Sequence, residues 1–360
     1  MKLPRITILA TLLLTVPAAA QLQITPPATI PSAPAEKQKP KPPPATKKKE
    51  AAPAPKPSAS PKPAASPKPA LPATVIPAPA TDAPGVDLVF GAYQRGQYKT
   101  AFDLATARAA TGDAKAMTML GELYSNAMGI RRDYAKALQW YKRASDAGDR
   151  EAMFALAMLR MSGRGGPVDK AEAVKLMASS AKLGEPKAAY NLALLYLDGQ
   201  TLPQDVKRSA ELLRQAADAG LPEAQYALAT FYKEGTGVPK DPEKAVRLLQ
   251  AASLADNIDA EVEYAIALFN GTGTPKNQPA AVALLRKASR QGSAIAQNRL
   301  AWVLINGMGT SVDKVEGFKW HLVAKTSGKG DPELDKQFSD LPADDRSKAE
   351  AAARKWLGTK

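Results

Sequence analysis

The sequence predicts an all-α solenoid, a stack of helical hairpins, and three registers sharing one period predict it. Ala116, Ala152, Ala188, Ala224, Ala260 and Ala296 recur every 36 residues. Gly163, Gly199, Gly235, Gly271 and Gly307 keep the same interval, and so do Asp133, Asp169, Asp205, Asp241, Asn277 and Asp313. Three residue types agreeing on one period mark an array of supersecondary units. One such unit cannot bury its apolar face alone, so the core arises only by stacking.

The chain has 360 residues, a net charge of +14, one histidine and no cysteine. Its first twenty residues read as a secretory signal peptide. Lys2 and Arg5 give a positive start, Ile6 to Val16 is apolar, and Ala18, Ala19 and Ala20 offer a small-residue cleavage site before Gln21. An uncut anchor is the alternative, but the eleven-residue apolar run is about half the length of a spanning helix. A periplasmic or secreted location is therefore expected, without a stable membrane span. The absence of cysteine excludes disulfides, thiolate metal sites, cysteine nucleophiles and a lipidated cysteine.

Residues 21–84 read as a disordered Pro/Lys-rich linker. From Thr25 to Pro84 there are nineteen prolines and nine lysines, against Glu36, Glu50 and Asp82. Pro-Lys-Pro occurs at 40–42, 55–57, 61–63 and 67–69. Proline fixes φ and lacks a backbone donor, so the expectation is solvated polyproline II. Such a segment can act as a plain spacer or adhere weakly to an anionic cell wall. Residues 85–360 hold 38 basic against 32 acidic side chains. The basic residues alternate with acids along predicted helices rather than forming a stripe, so nucleic acid is not expected as a partner.

Val86 to Gly112 reads as a helical hairpin capping the array (85–113), broken at Arg95-Gly96-Gln97. Six repeats follow over 114–330. In the fourth, Pro222 and Glu223 suit a helix start, and Ala224, Ala227, Leu228, Phe231 and Tyr232 form an i, i+3, i+4, i+7, i+8 stripe. Gly235-Thr236-Gly237 ends that helix. Asp241, Pro242 and Glu243 start the next, which carries Ala245, Leu248, Leu249 and Ala252. Beyond Gly330, a short helix over Pro332 to Phe338 and a longer one over Ala343 to Leu357 are expected to close the stack (331–360) with Ala349, Ala352, Ala353, Trp356 and Leu357.

Met119-Leu120-Gly121-Glu122-Leu123-Tyr124 and Asp133-Tyr134-Ala135-Lys136-Ala137-Leu138-Gln139-Trp140-Tyr141 set out the unit most fully. An alanine, a Leu-Gly or Leu-Ala step, an aromatic, a Gly-x-Gly loop, an aspartate, Lys-Ala, an aromatic pair and a terminal glycine follow in phase. The pattern resembles the Sel-1-like repeat family, relatives of tetratricopeptide repeats, and the resemblance covers Ala114 to Gly330. Ala127, Thr201 and Asp256 depart from it at glycine positions, and copies two to five replace the Trp-Tyr pair with aliphatics. The resemblance implies a right-handed α/α superhelical solenoid whose first helices line a concave face. It also implies a scaffold for protein partners, with envelope signalling and exopolysaccharide production among the roles of periplasmic members.

On that face, varied positions beside the apolar stripe are the candidate partner-binding residues. They are Met119, Asn191, Glu263 and Arg299 in one register and Glu122, Thr230 and Trp302 in the next. They suit a groove for an extended peptide or a helix, or else are ordinary solvated positions with Trp302 partly buried. Catalytic chemistry lacks support. His321 stands where other copies place Tyr141, Met177, Leu213, Leu249 and Leu285, a core position. The carboxylate pairs Glu261/Glu263 and Asp344/Asp345 read as helix-surface charges. The Gly-x-Gly loops follow helices and lack the lysine of a phosphate cradle. No cofactor and no metal is expected. The reading is a non-enzymatic periplasmic adaptor. The alternatives are a cell-wall-associated structural protein acting through its linker, and a cell-wall hydrolase or lactamase-like enzyme.

Overall fold

The structure, a computed structural model, describes residues 87–358; the expected signal peptide, the Pro/Lys-rich segment and Val86 lie outside the described residues. Within that range the chain is a solenoid of sixteen helices with no strand. α1 (Leu88–Gln94) and α2 (Tyr98–Ala110) form the opening hairpin. Six pairs follow: α3 (Ala114–Asn126) with α4 (Tyr134–Asp146), α5 (Arg150–Ser162) with α6 (Lys170–Lys182), α7 (Pro186–Asp198) with α8 (Val206–Asp218), α9 (Pro222–Glu234) with α10 (Pro242–Leu254), α11 (Ile258–Asn270) with α12 (Gln278–Arg290), and α13 (Ala294–Asn306) with α14 (Lys314–Thr326). α15 (Pro332–Ser339) and α16 (Ala343–Gly358) end it. From α1 to α14 each helix packs on its neighbours in sequence, whereas α15 touches α14 lightly and α16 returns onto α14. Among the described residues no helix is long and apolar enough to cross a membrane.

The three registers have distinct physical jobs. All six alanines of the first ladder are buried, which lets helices approach closely. Asp133, Asp169, Asp205, Asp241, Asn277 and Asp313 are the N-caps of the second helices. Each side chain accepts a hydrogen bond from the backbone N–H three residues on, satisfying one of the otherwise orphaned donors. Gly163, Gly199, Gly235, Gly271 and Gly307 are the left-handed C-caps of the first helices. Ala127 fills that position in the first repeat at φ 58°, and Asp256 takes φ 59° at a terminal-glycine position.

The second glycine of each loop sets the contact between repeats. A Cβ on Gly165 would lie 2.3 Å from the carbonyl oxygen of Tyr134, one on Gly237 2.6 Å from that of Val206, and one on Gly273 2.3 Å from that of Pro242. The loop therefore lies against the N-terminus of the previous repeat's second helix, where only glycine fits. Thr201 cannot take that place. Its loop stays out of the left-handed region there and is tied instead by Gln204 Nε2 donating to the Leu197 carbonyl at 2.9 Å.

Side-chain sizes compensate inside each pair. In the first repeat Tyr141 fills the centre, and Gly121 faces it where a Cβ would come within 2.6 Å of the ring. The other repeats pair Ala157, Ala193, Ala229, Ala265 or Ala301 with a smaller partner. At the C-terminal end Trp356 of α16 packs edge-on to Trp320 at 5.0 Å, and Ala349 and Ala353 are buried. Leu357, expected on the same face, is 40% exposed because it lies past the contact. His321 is buried as expected, with Nε2 2.9 Å from Asp335 Oδ1.

Candidate partner-binding face

Side chains of successive first helices meet one another across the stack. Tyr93 Oη of α1 donates to Glu122 Oε1 of α3 at 2.9 Å, and Thr118 Oγ1 donates to Asp149 at the start of α5 at 3.0 Å. Further along, Lys233 of α9 pairs with Glu263 of α11 at 2.8 Å. Trp302 Nε1 of α13 donates to Asp331, the N-cap of α15, at 2.9 Å. These bonds span about one repeat each, so the first helices present one continuous face.

Its N-terminal end is a cavity of about 420 Å³ lined by Phe90, Tyr93, Met119, Glu122 and Glu151 among others. Burial, then the bond to Glu122, pushes the Tyr93 phenol up to about 12. Phe90 is 50% exposed here. Partial burial and the nearby Asp149 and Glu185 hold Glu151 above the usual carboxylate range.

The middle carries residues that the sequence reading passed over. Phe154, Tyr190 and Tyr226 occupy one register in repeats two to four, partly buried against the core. Neither Tyr190 nor Tyr226 has a hydrogen-bond partner for its hydroxyl among the described residues. Carboxylates flank them. Burial and then Glu223 raise the Tyr190 phenol, while burial and then Glu263, Asp259 and Glu234 raise that of Tyr226. Partial burial and Glu263 keep Asp259 above the ordinary range. The cations on this stretch include Arg150, which pairs with Glu185, Lys187, and Lys233, which pairs with Glu263. The 36-residue recurrence of the three rings is visible in the sequence, whereas their partial exposure depends on the packing of neighbouring repeats.

The C-terminal end is closed. Arg299 is 1% exposed, and its Nε and Nη2 find no hydrogen-bond partner among the described residues. Burial lowers its pKa to about 10, against the opposing influence of Glu263 and Asp331. Trp302 is buried beside it and held by Asp331.

The seven predicted residues thus separate. Met119 and Glu122 line the N-terminal cavity. Asn191 and Thr230 are half-buried in the middle, with their side chains turned back to their own helices, onto the Lys187 carbonyl at 2.8 Å and the Tyr226 carbonyl at 3.2 Å. Glu263 is engaged by Lys233, and Arg299 and Trp302 lie inside the protein rather than on a groove. The pair Glu261/Glu263, read as surface charges, also needs correction. Glu261 is fully buried and ion-paired with Lys287, because its register faces the neighbouring second helices.

The outer side has two shallower crevices of about 460 and 320 Å³, which share Arg247. In the second, Arg214 Nη2 donates to Tyr232 Oη at 3.1 Å. Among the described residues no three histidine or carboxylate side chains converge as metal ligands do.

The Sel1 repeat family model matches residues 114–149, 150–185, 186–221, 222–257, 258–293 and 294–328. The fold is similar to the crystal structure of a protective antigen present in uropathogenic Escherichia coli strains and displaying an SLR fold. The TM-score is 0.64 at 25% identity, over 75% of this chain and 59% of the antigen. The chain therefore spans about three-fifths of that relative's length. It is also similar to a Sel1 repeat protein from Oxalobacter formigenes, with TM-score 0.60 and 25% identity over 66% of this chain and 98% of the other. No curated protein sequence matched.

Proposed function

The chain belongs to the Sel1-repeat family, and from that premise we propose that it is an exported, non-enzymatic adaptor holding a protein partner of the cell envelope on its first-helix face. Sel1 repeats generally mediate protein–protein interaction, and proteins built from them are generally non-catalytic scaffolds. The observation that carries the reading for this chain is the partly exposed ladder Phe154, Tyr190 and Tyr226 with two unpartnered hydroxyls. Aromatic side chains half out of a core supply contact area with little conformational entropy to lose, as binding anchors do.

Support for export comes from the N-terminal sequence, Lys2 and Arg5 ahead of Ile6 to Val16 and Ala18 to Ala20. Support for a non-catalytic role comes from the lack of cysteine and from His321, the single histidine, being buried against Asp335. Envelope signalling and exopolysaccharide production are the settings in which we place the adaptor. A second reading, attachment to the cell wall through the linker, is favoured by its nine lysines against three acids.

In-cell crosslinking and capture from the envelope fraction tests both, comparing the full chain with one lacking residues 25–84. The adaptor reading expects one defined protein with both chains. Loss of every partner with the linker, or recovery of cell-wall fragments alone, would replace it with the structural reading.

A further inference from the structure

We propose that the open part of the first-helix face is selective for an extended, proline-containing and lysine-bearing segment of its partner. This rests on the adaptor reading and specifies the partner's chemistry. Three features of repeats two to five carry it.

The first is the rings. Phe154, Tyr190 and Tyr226 stand one per repeat in a single register. A polyproline II chain presents an equivalent side once per three-residue turn, roughly every 9 Å. One ring per repeat, all in a single register, suits an extended peptide whose contact face recurs at short, regular intervals. Prolyl rings pack on aromatic faces, and a peptide already extended loses little entropy on docking.

The second is the hydroxyls. A polyproline II backbone has no internal hydrogen bonds, so its carbonyls need donors at the interface. Tyr190 and Tyr226 offer two that nothing within the described protein uses.

The third is the charge. Glu151, Glu223 and Asp259 occupy the same register one turn ahead of the rings, with Lys187 as the single cation in that row between Glu151 and Asp259. Besides partial burial, other carboxylates crowd Glu151 and Asp259: Asp149 and Glu185 at the first, ahead of the opposing Arg150 and Lys115, and Glu263 at the second. An ammonium laid beside them relieves that repulsion, whereas an acidic ligand adds to it. Lysine over an exposed ring face gains a cation–π contribution as well.

The test uses the full chain beside one lacking residues 25–84, a segment whose own Pro-Lys-Pro units compete with the probe, and three fluorescein-labelled fifteen-residue peptides read by anisotropy. One repeats Pro-Lys-Ala, one Pro-Glu-Ala, and one is a helix-forming Lys/Ala peptide of equal charge to the first. The Pro-Lys-Ala peptide is expected to bind on the order of tenfold or more tightly than either other. Binding is expected to weaken severalfold in the Tyr190→Phe/Tyr226→Phe chain and about tenfold in the Glu223→Gln/Asp259→Asn chain. Neither pair of substitutions removes a hydrogen bond of those side chains within the described residues, and circular dichroism checks that both variants keep the stack. Equal binding of the three peptides, preference for the helical or acidic one, no binding, or binding that both variants leave unchanged would each overturn the proposal. Capture of an envelope protein by a chain that ignores the Pro-Lys-Ala peptide would refute this selectivity and leave the adaptor reading standing. Failure of that capture would remove the adaptor reading itself.

Discussion

Replacing Gly273 by alanine should weaken the boundary between the fourth and fifth repeats, and the size of the loss can be worked from two neighbouring constraints. Gly273 has φ +70°, where an L-residue costs about 1–2 kcal/mol. The entropy that alanine removes from the unfolded chain returns roughly 0.5–1 kcal/mol of this. The new Cβ would also sit 2.3 Å from the carbonyl oxygen of Pro242 and 2.5 Å from its carbon. Since the obstacle is backbone, relief requires the loop and the start of α10 to separate, an overpacking cost of about 1–3 kcal/mol. The expected total is about 2–4 kcal/mol. Gly220→Ala is the control, because Gly220 has φ +85° with nothing within 4 Å of the added carbon. It should lose only about 1 kcal/mol. Urea titration by circular dichroism gives the totals. Hydrogen exchange shows where protection falls, expected at α10, α11 and α12 for Gly273→Ala. Equal losses in the two variants, or loss of protection spread evenly along the stack, would refute the claim that this glycine holds adjacent repeats together.

Three further outcomes follow from the same geometry. Ala127→Gly relieves a left-handed alanine at φ 58° and should stabilise by about 0.5–1 kcal/mol, whereas a lower urea midpoint would contradict that. Arg299→Met should be neutral or stabilising by up to about 1–4 kcal/mol, since Glu263 keeps Lys233 and Asp331 keeps Trp302; a loss beyond about 2 kcal/mol in urea titration would sink this reading. The Lys325 ammonium, and after it His321, hold the Asp335 carboxyl below the ordinary carboxylate range despite some burial. Its contribution is therefore fully present above its unfolded value, near pH 4, and fades as pH falls through the lower folded value. Protection of α15 amides should drop in that acid window in the parent chain and show a smaller drop there in Asp335→Asn.

The solenoid was legible because its constraints are local and repeated. An aspartate followed by a helical stripe reads as an N-cap and a glycine after the stripe as a C-cap, and five copies of each reinforced the assignment, with Asn277 and Ala127 at the sixth positions. The helix starts at Pro222, Pro242 and Pro332 were readable for the same reason. The candidate face was less legible because exposure depends on neighbours in other repeats. Arg299 occupies the register of Asn191, yet the first is inside the protein and the second half-buried near the surface, since α15 and its Asp331 close only the last repeat. Glu261 and Glu263 are two positions apart in sequence but face opposite ways on one helix. The aromatic ladder carried a sequence signal in its period. Its openness, and the lack of partners for its hydroxyls, required coordinates.

Site-specific photocrosslinking tests the central claim most directly. A photoreactive residue replaces Tyr190 on the first-helix face in one chain and Arg214 on the second helices in another, each expressed at native level and irradiated in cells. The account predicts a single discrete protein adduct from position 190 and none of that mass from position 214. Adducts of the same mass from both positions, or from 214 alone, would contradict a partner held on the first-helix face.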